Sequence, residues 1–186
     1  MTIPLSDIGE PTAPGPILLH ERQIQTVVAE MGSAIADRFA GQDLRLITVL
    51  KGGLFFTSDL CRAIQCPLAL DFLAVAPYTQ GVGGVVRLTK DLSDDIEGAT
   101  VILVEDVVDT GLTVNYVLSL LKARNPRSLC VASLLDKPAR RIAEIPIEFR
   151  GFEMPDRFLV GYGLDLAGRY RNCRDIHALP DELAYP

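Results

Sequence analysis

The chain has 186 residues, 48% of them hydrophobic, with 24 acidic side chains against 18 lysines and arginines, so its formal net charge is −6. That length is enough to bury one full domain core, and an acidic chain without a block of like charges lacks the basic footprint for wrapping nucleic acid or docking on anionic lipid. Lys51 splits the longest apolar candidate, Leu44 to Leu60, below the roughly 18 residues a membrane helix needs. No basic-then-apolar start marks a secretory leader, so a cytoplasmic protein is expected.

Residues 1–16 hold four prolines and two glycines without periodicity and read as an N-terminal arm. From His20, the apolar positions Ile24, Val27, Val28, Met31, Ala34 and Ile35 recur at helical spacing until Gly41. Leu44 to Leu50 reads as a buried strand, followed by a Gly52-Gly53 turn, a helix to about Ile64 and a strand over Leu68 to Ala76. Gly81, Gly83 and Gly84 break the pattern before a short strand at Val85 to Thr89, which suggests a mobile flap. Thr100 to Val104 is a continuous apolar run, as in a strand covered on both faces; an acidic loop, a helix over Leu112 to Ala123 and a strand over Ser128 to Leu135 follow. Alternating buried strands and helices specify a parallel α/β sheet with right-handed crossovers, whose ligands bind at the carboxyl ends of the strands.

Cys61 and Cys66 are spaced C-x4-C, unsuited to zinc or to a disulfide framework, and with Cys130 and Cys173 they read as buried small hydrophobes. His20 and His177 are the only histidines, so no histidine metal site is available. Chemistry falls to carboxylates, lysines, arginines and backbone amides.

One constellation stands out. After the run TVILV come Glu105, Asp106, Val107, Val108, Asp109, Thr110, Gly111, Leu112 and Thr113, leading into a helix. A Thr-Gly-x-Thr turn at a helix start offers free backbone N–H groups, the positive helix end and two hydroxyls, a combination suited to a phosphate monoester. The acids upstream can hold sugar hydroxyls or a divalent cation. As an ordinary strand-to-helix loop, three uncompensated acids after a buried strand would be costly.

The stretch VILVEDVVDTGLT resembles the phosphoribosyl-diphosphate motif of type I phosphoribosyltransferases. LKGGLFF (Leu50 to Phe56), LLDKPARR (Leu134 to Arg141) and GFEMPDRFLVGYGLDLAGRYRN (Gly151 to Asn172) narrow the resemblance to the hypoxanthine or hypoxanthine-guanine enzymes. It implies one α/β domain over residues 1–186, with a central parallel sheet flanked by helices, a flexible flap over 77–84 and a small hood from the chain ends, chiefly 151–186.

It further implies that Glu105 and Asp106 hold the ribose hydroxyls, and that Val108, Asp109, Thr110, Gly111, Leu112 and Thr113 cradle the 5-phosphate. Asp109 would move a proton at the purine imidazole ring. Lys51 and Gly52 would bind pyrophosphate together with Arg171, often with a cis peptide before the lysine. Lys137 would donate to the purine 6-oxygen, Phe158 would stack on the base and Leu159 would read its 2-position. Asp165 would sit near the purine and bind a second magnesium, with Glu105 and Asp106 the other metal-facing acids. The implied cofactor is Mg2+, and the partners are a purine base and phosphoribosyl diphosphate, with neither nucleic acid nor membrane, in a homodimer or homotetramer. The implied reaction forms the nucleoside monophosphate from hypoxanthine, and from guanine. Xanthine or adenine transfer, or a non-catalytic regulator of the same fold, are the rivals. The sequence departs from the family at Pro77 to Gly84, a flap shorter by a few residues and carrying proline before Tyr78 where a serine is usual, which leaves two readings: incomplete coverage of the reacting centre, or a harmless change of length with Tyr78 and backbone amides still reaching the ligand.

Overall fold

A computed structural model describes residues 15–77 and 86–180. Among these, the first strand β1 (Ile17–Leu19) leads into α1 (Glu21–Phe39), β2 (Leu44–Leu50), α2 (Leu54–Ala63), β3 (Ala69–Pro77) and β4 (Val86–Lys90). Then come β5 (Thr100–Val108), α3 (Leu112–Lys122), β6 (Ser128–Asp136), a 3-10 turn at Pro138–Arg140, β7 (Phe149–Glu153), β8 (Leu159–Val160) and β9 (Ile176–Ala178). Residues 1–14, 78–85 and 181–186 lie outside the described residues, so the expectations for the flap beyond Pro77 and for nearly all of the arm do too.

The main sheet has the order β4-β3-β2-β5-β6-β7, parallel except for the β3–β4 pair. Its central strands are apolar on both faces because helices cover both. Ile24, Ile35, Phe56, Leu60 and Leu46 pack on one side, and Ile47, Leu103, Val117 and Leu121 on the other. A second, antiparallel sheet of order β1-β9-β8 joins residues from the two ends of the described chain. It supplies the hood from the chain ends, but residues 151–153, counted with the hood above, belong to β7 of the main sheet, where they pair with β6.

Two sequence readings change. β5 does not stop at Val104 but runs on to Val108, so Glu105 to Val108 belong to a strand and not to an acidic loop. The reason is pairing: Glu105 lies opposite Ser133, Val107 opposite Leu135 and Val108 opposite Asp136 of β6. The cysteines differ as well. All four are free, and only Cys130 is buried, while Cys61, Cys66 and Cys173 are half-buried.

Candidate active site

β2, β5 and β6 end side by side, and the residues that follow them converge there. The loop after β5 is short, Asp109 to Gly111, because Gly111 takes a left-handed φ of 80° as the residue capping α3. The Thr110 carbonyl accepts the N–H groups of Ile142 and Ala143, and a Cβ on Gly111 would lie 2.5 Å from the Ala143 carbonyl oxygen. The first turn of α3 is therefore fixed against the segment after β6. Around it lies a hollow of about 200 Å³ lined by Glu105, Val107, Asp109, Thr110, Gly111, Thr113 and Val114. First-turn N–H groups without intrahelical partners make this a fit for an anionic monoester.

A larger cleft of about 510 Å³ adjoins it, sharing Glu105, Val107 and Asp109 and bounded by Gly52, Asp106, Lys137, Arg140, Phe158, Leu159, Asp165 and Arg171. The structure thus brings together most of the residues singled out in the sequence. Three stand apart from both linings: Val108 is fully buried with its carbonyl bonded to the Lys137 N–H, Leu112 is 51% exposed, and Lys51 is exposed beside lining residues Leu50 and Gly52.

The acids face each other's charge. Glu105 is 6% exposed and its Oε1 has no hydrogen-bond partner. Burial, with the Asp106 charge adding to it, raises its carboxyl well above the usual range. Asp106 is pushed up to about 6, first by burial and then by Asp165, against backbone hydrogen bonds and the attraction of Arg171. Its carboxylate rests on the loop after β2: a Cβ on Gly52 would lie 2.0 Å from Asp106 Oδ2. The preceding Leu50–Lys51 peptide is cis.

Across the cleft, Lys137 is 6% exposed and its Nζ donates to the Arg157 carbonyl at 2.6 Å. Burial lowers its pKa, while the nearby Asp109 carboxylate works in the opposite direction. Asp165 pairs with Arg171 at 2.5 Å and accepts the Gly168 N–H at 2.6 Å. Phe158 is half-buried just before β8, and Leu159 begins that strand, buried.

Sequence reasoning passed over Arg140, which lines the cleft and lies 3.1 Å from Asp109 Oδ1. It also passed over Asp136, held in the core by Arg141 and by Arg150 at 2.9 Å, directly behind Lys137. The only signal for either was the run of positive charge in LLDKPARR.

No three acidic, histidine or cysteine side chains among the described residues cluster as metal ligands. A magnesium ion needs only one or two carboxylates when substrate oxygens and water complete its shell, and the unpartnered Glu105 Oε1 beside Asp106 fits that demand.

A mostly parallel sheet whose strand β5 carries paired acids near its carboxyl end and leads to an anion-binding helix start is the architecture of a phosphoribosyl transferase domain, and the chain belongs to that family, whose model matches residues 17–166. The hypoxanthine-guanine phosphoribosyltransferase of Mycobacterium avium is 48% identical over 171 residues, 88% of this chain and 84% of that protein. The hypoxanthine phosphoribosyltransferase of Escherichia coli (strain K12) is 41% identical over 160 residues, 84% of this chain and 90% of that one. A crystal structure of a hypoxanthine phosphoribosyltransferase from Staphylococcus aureus matches with a TM-score of 0.88 at 36% identity, covering 95% of this chain and all of that one.

Proposed function

We propose that this protein is a purine-salvage enzyme that transfers the phosphoribosyl group of phosphoribosyl diphosphate to hypoxanthine and guanine, forming the nucleoside monophosphate and pyrophosphate. One observation supports it above the rest. Buried Glu105 and half-buried Asp106 line the cleft whose wall bears Lys137, and Glu105 also lines the hollow at the anion-binding start of α3.

On this reading the first turn of α3 holds the 5-phosphate, and Glu105 and Asp106 hold the ribose hydroxyls. Arg171 and the Lys51-Gly52 loop take the pyrophosphate. Lys137 donates to the 6-oxygen, and as a donor only it rejects the amino group of adenine. Phe158 packs on the base and the Leu159 backbone reads its 2-position. Glu105 and Asp106, and in a second place Asp165, would hold magnesium, which would neutralise charge on the departing diphosphate. Asp109 accepts the proton that the neutral purine must lose as its ring nitrogen attacks the anomeric carbon, and the site's anions stabilise positive charge on the sugar. A homodimer or homotetramer in the cytoplasm belongs to the same reading. Among the described residues no helix is long and apolar enough to cross a membrane.

A steady-state assay with hypoxanthine, guanine, xanthine and adenine, each with phosphoribosyl diphosphate and magnesium, tests it. Turnover of hypoxanthine and guanine with adenine rejected is expected. Failure to turn over any 6-oxopurine overturns it.

A further inference from the structure

Arg140 ends the 3-10 turn that follows β6 and reaches two carboxylates from separate parts of the chain. Its Nε lies 3.1 Å from Asp109 Oδ1 on the loop between β5 and α3, and its Nη1 lies 3.4 Å from Asp156 Oδ1 on the segment entering β8. A guanidinium spans such a pair because its donors form a rigid planar fork, whereas an ammonium is a single point of charge. Asp109 Oδ1 is shut off from solvent and accepts no hydrogen bond, so Arg140 holds it as an ion pair through charge, although the side chain as a whole is 38% exposed. With Oδ1 covered, Oδ2 is the carboxylate oxygen a ligand can reach.

We propose, building on the function proposed above, that Arg140 is a positioning residue for the transfer: it holds Asp109 Oδ1 so that Oδ2 meets the purine imidazole, and through Asp156 it draws the Phe158 segment over the same ring. The proton passes from the ring nitrogen to Oδ2. The N–H bond breaks, an O–H bond forms, and the N–H electron pair stays with the ring. Attack of the ring on the anomeric carbon then forms the C–N bond and expels pyrophosphate with the C–O electron pair. A carboxylate rotated away from this geometry would still leave phosphoribosyl diphosphate bound, so the loss belongs in turnover.

The test is a kinetic cycle on the full chain with hypoxanthine, phosphoribosyl diphosphate and magnesium. Arg140→Met is expected to lower kcat about 10- to 100-fold while the KM for phosphoribosyl diphosphate stays within about twofold. Asp156→Asn is expected to raise the KM for hypoxanthine a few-fold at nearly constant kcat. In an Asp109→Asn background, Arg140→Met should add less than about a twofold further loss, because it acts through the group already removed. Full additivity of the two changes, or Arg140→Met turnover within about threefold of the unmodified protein, overturns the inference. Should Arg140→Met not fold, Arg140→Lys decides. A lysine reaches one carboxylate, so at least a fivefold loss in kcat is expected, and unchanged turnover overturns the inference. Absence of turnover in the unmodified protein overturns the proposed function and this inference with it, whereas a healthy unmodified protein with an indifferent Arg140 overturns this inference alone.

Discussion

Gly163, in the hood, rests directly on Gly52, in the loop after β2: a Cβ built on Gly163 would stand 2.2 Å from the Gly52 carbonyl oxygen. Gly163 has a φ of 103°, donates its N–H to the Arg171 carbonyl at 3.0 Å, and accepts from the Arg171 guanidinium. The two pieces of chain proposed to take pyrophosphate, Lys51-Gly52 and Arg171, are thereby locked to each other through this residue.

Gly163→Ala is expected to force these pieces apart, because the obstruction is backbone and has no rotamer to yield. Gly41→Ala serves as the background, since Gly41 also has a positive φ, 74°, but nothing within 4 Å of its Cβ position. Gly41→Ala should cost about 1 kcal/mol, and Gly163→Ala about 1–3 kcal/mol more. The KM for pyrophosphate in the reverse reaction should rise only in the Gly163 variant. Denaturant unfolding and reverse-reaction kinetics check both, and equal effects of the two changes would count against the contact.

Asp109→Asn is expected to lower turnover about 10²-fold or more, with little change in the KM for phosphoribosyl diphosphate. The amide keeps the shape and the place beside Arg140 but cannot take the purine proton. Turnover within a factor of about three of the unmodified protein would sink the proton-transfer role.

Lys137→Gln is expected to weaken discrimination between hypoxanthine and adenine. The ammonium only donates, whereas a carboxamide presents both a donor and an acceptor to the 6-position. Competition assays with the two bases read the effect directly, and an unchanged preference would show that another group reads that edge.

Asp106→Asn is expected to stabilise the ligand-free protein while abolishing transfer. The folded carboxyl titrates at about 6 against a reference value of 3.8, so the native state binds the proton more tightly than the unfolded chain. Below the reference value the group is neutral in both states and contributes nothing. As pH rises through 3.8 to about 6, stability is progressively lost, reaching roughly 3 kcal/mol at most above that range. The asparagine variant should therefore melt higher than the unmodified protein at pH 7.5, with the gap closing toward pH 4. Equal melting temperatures at pH 7.5 would contradict the burial of that charge.

Much of the active centre was legible because its signals are local. Apolar runs such as Thr100 to Val104 report a strand covered on both faces, and the Thr-Gly-x-Thr turn reports the start of a helix. Arg140 was not legible, since its partners Asp109 and Asp156 lie on other segments and nothing in their spacing links them.

The sequence by itself determined the α/β alternation, the order of the central elements and the acids and hydroxyls leading into α3, because hydrophobic periodicity and turn chemistry act over a few neighbouring residues. Only the tertiary structure decided how far the strands run and what closes over them. Glu105 to Val108 are a strand because β6 offers Ser133 to Asp136 as partners. β7, with its mixed burial, exists because Ala132 to Asp136 lies alongside it. β1 pairs with β9, whose Ala178 N–H reaches the Pro16 carbonyl from the far end of the chain. These outcomes rest on hydrogen bonds and charge pairs between segments distant in sequence, whose free energy is settled only when the sheet has brought both partners to one place.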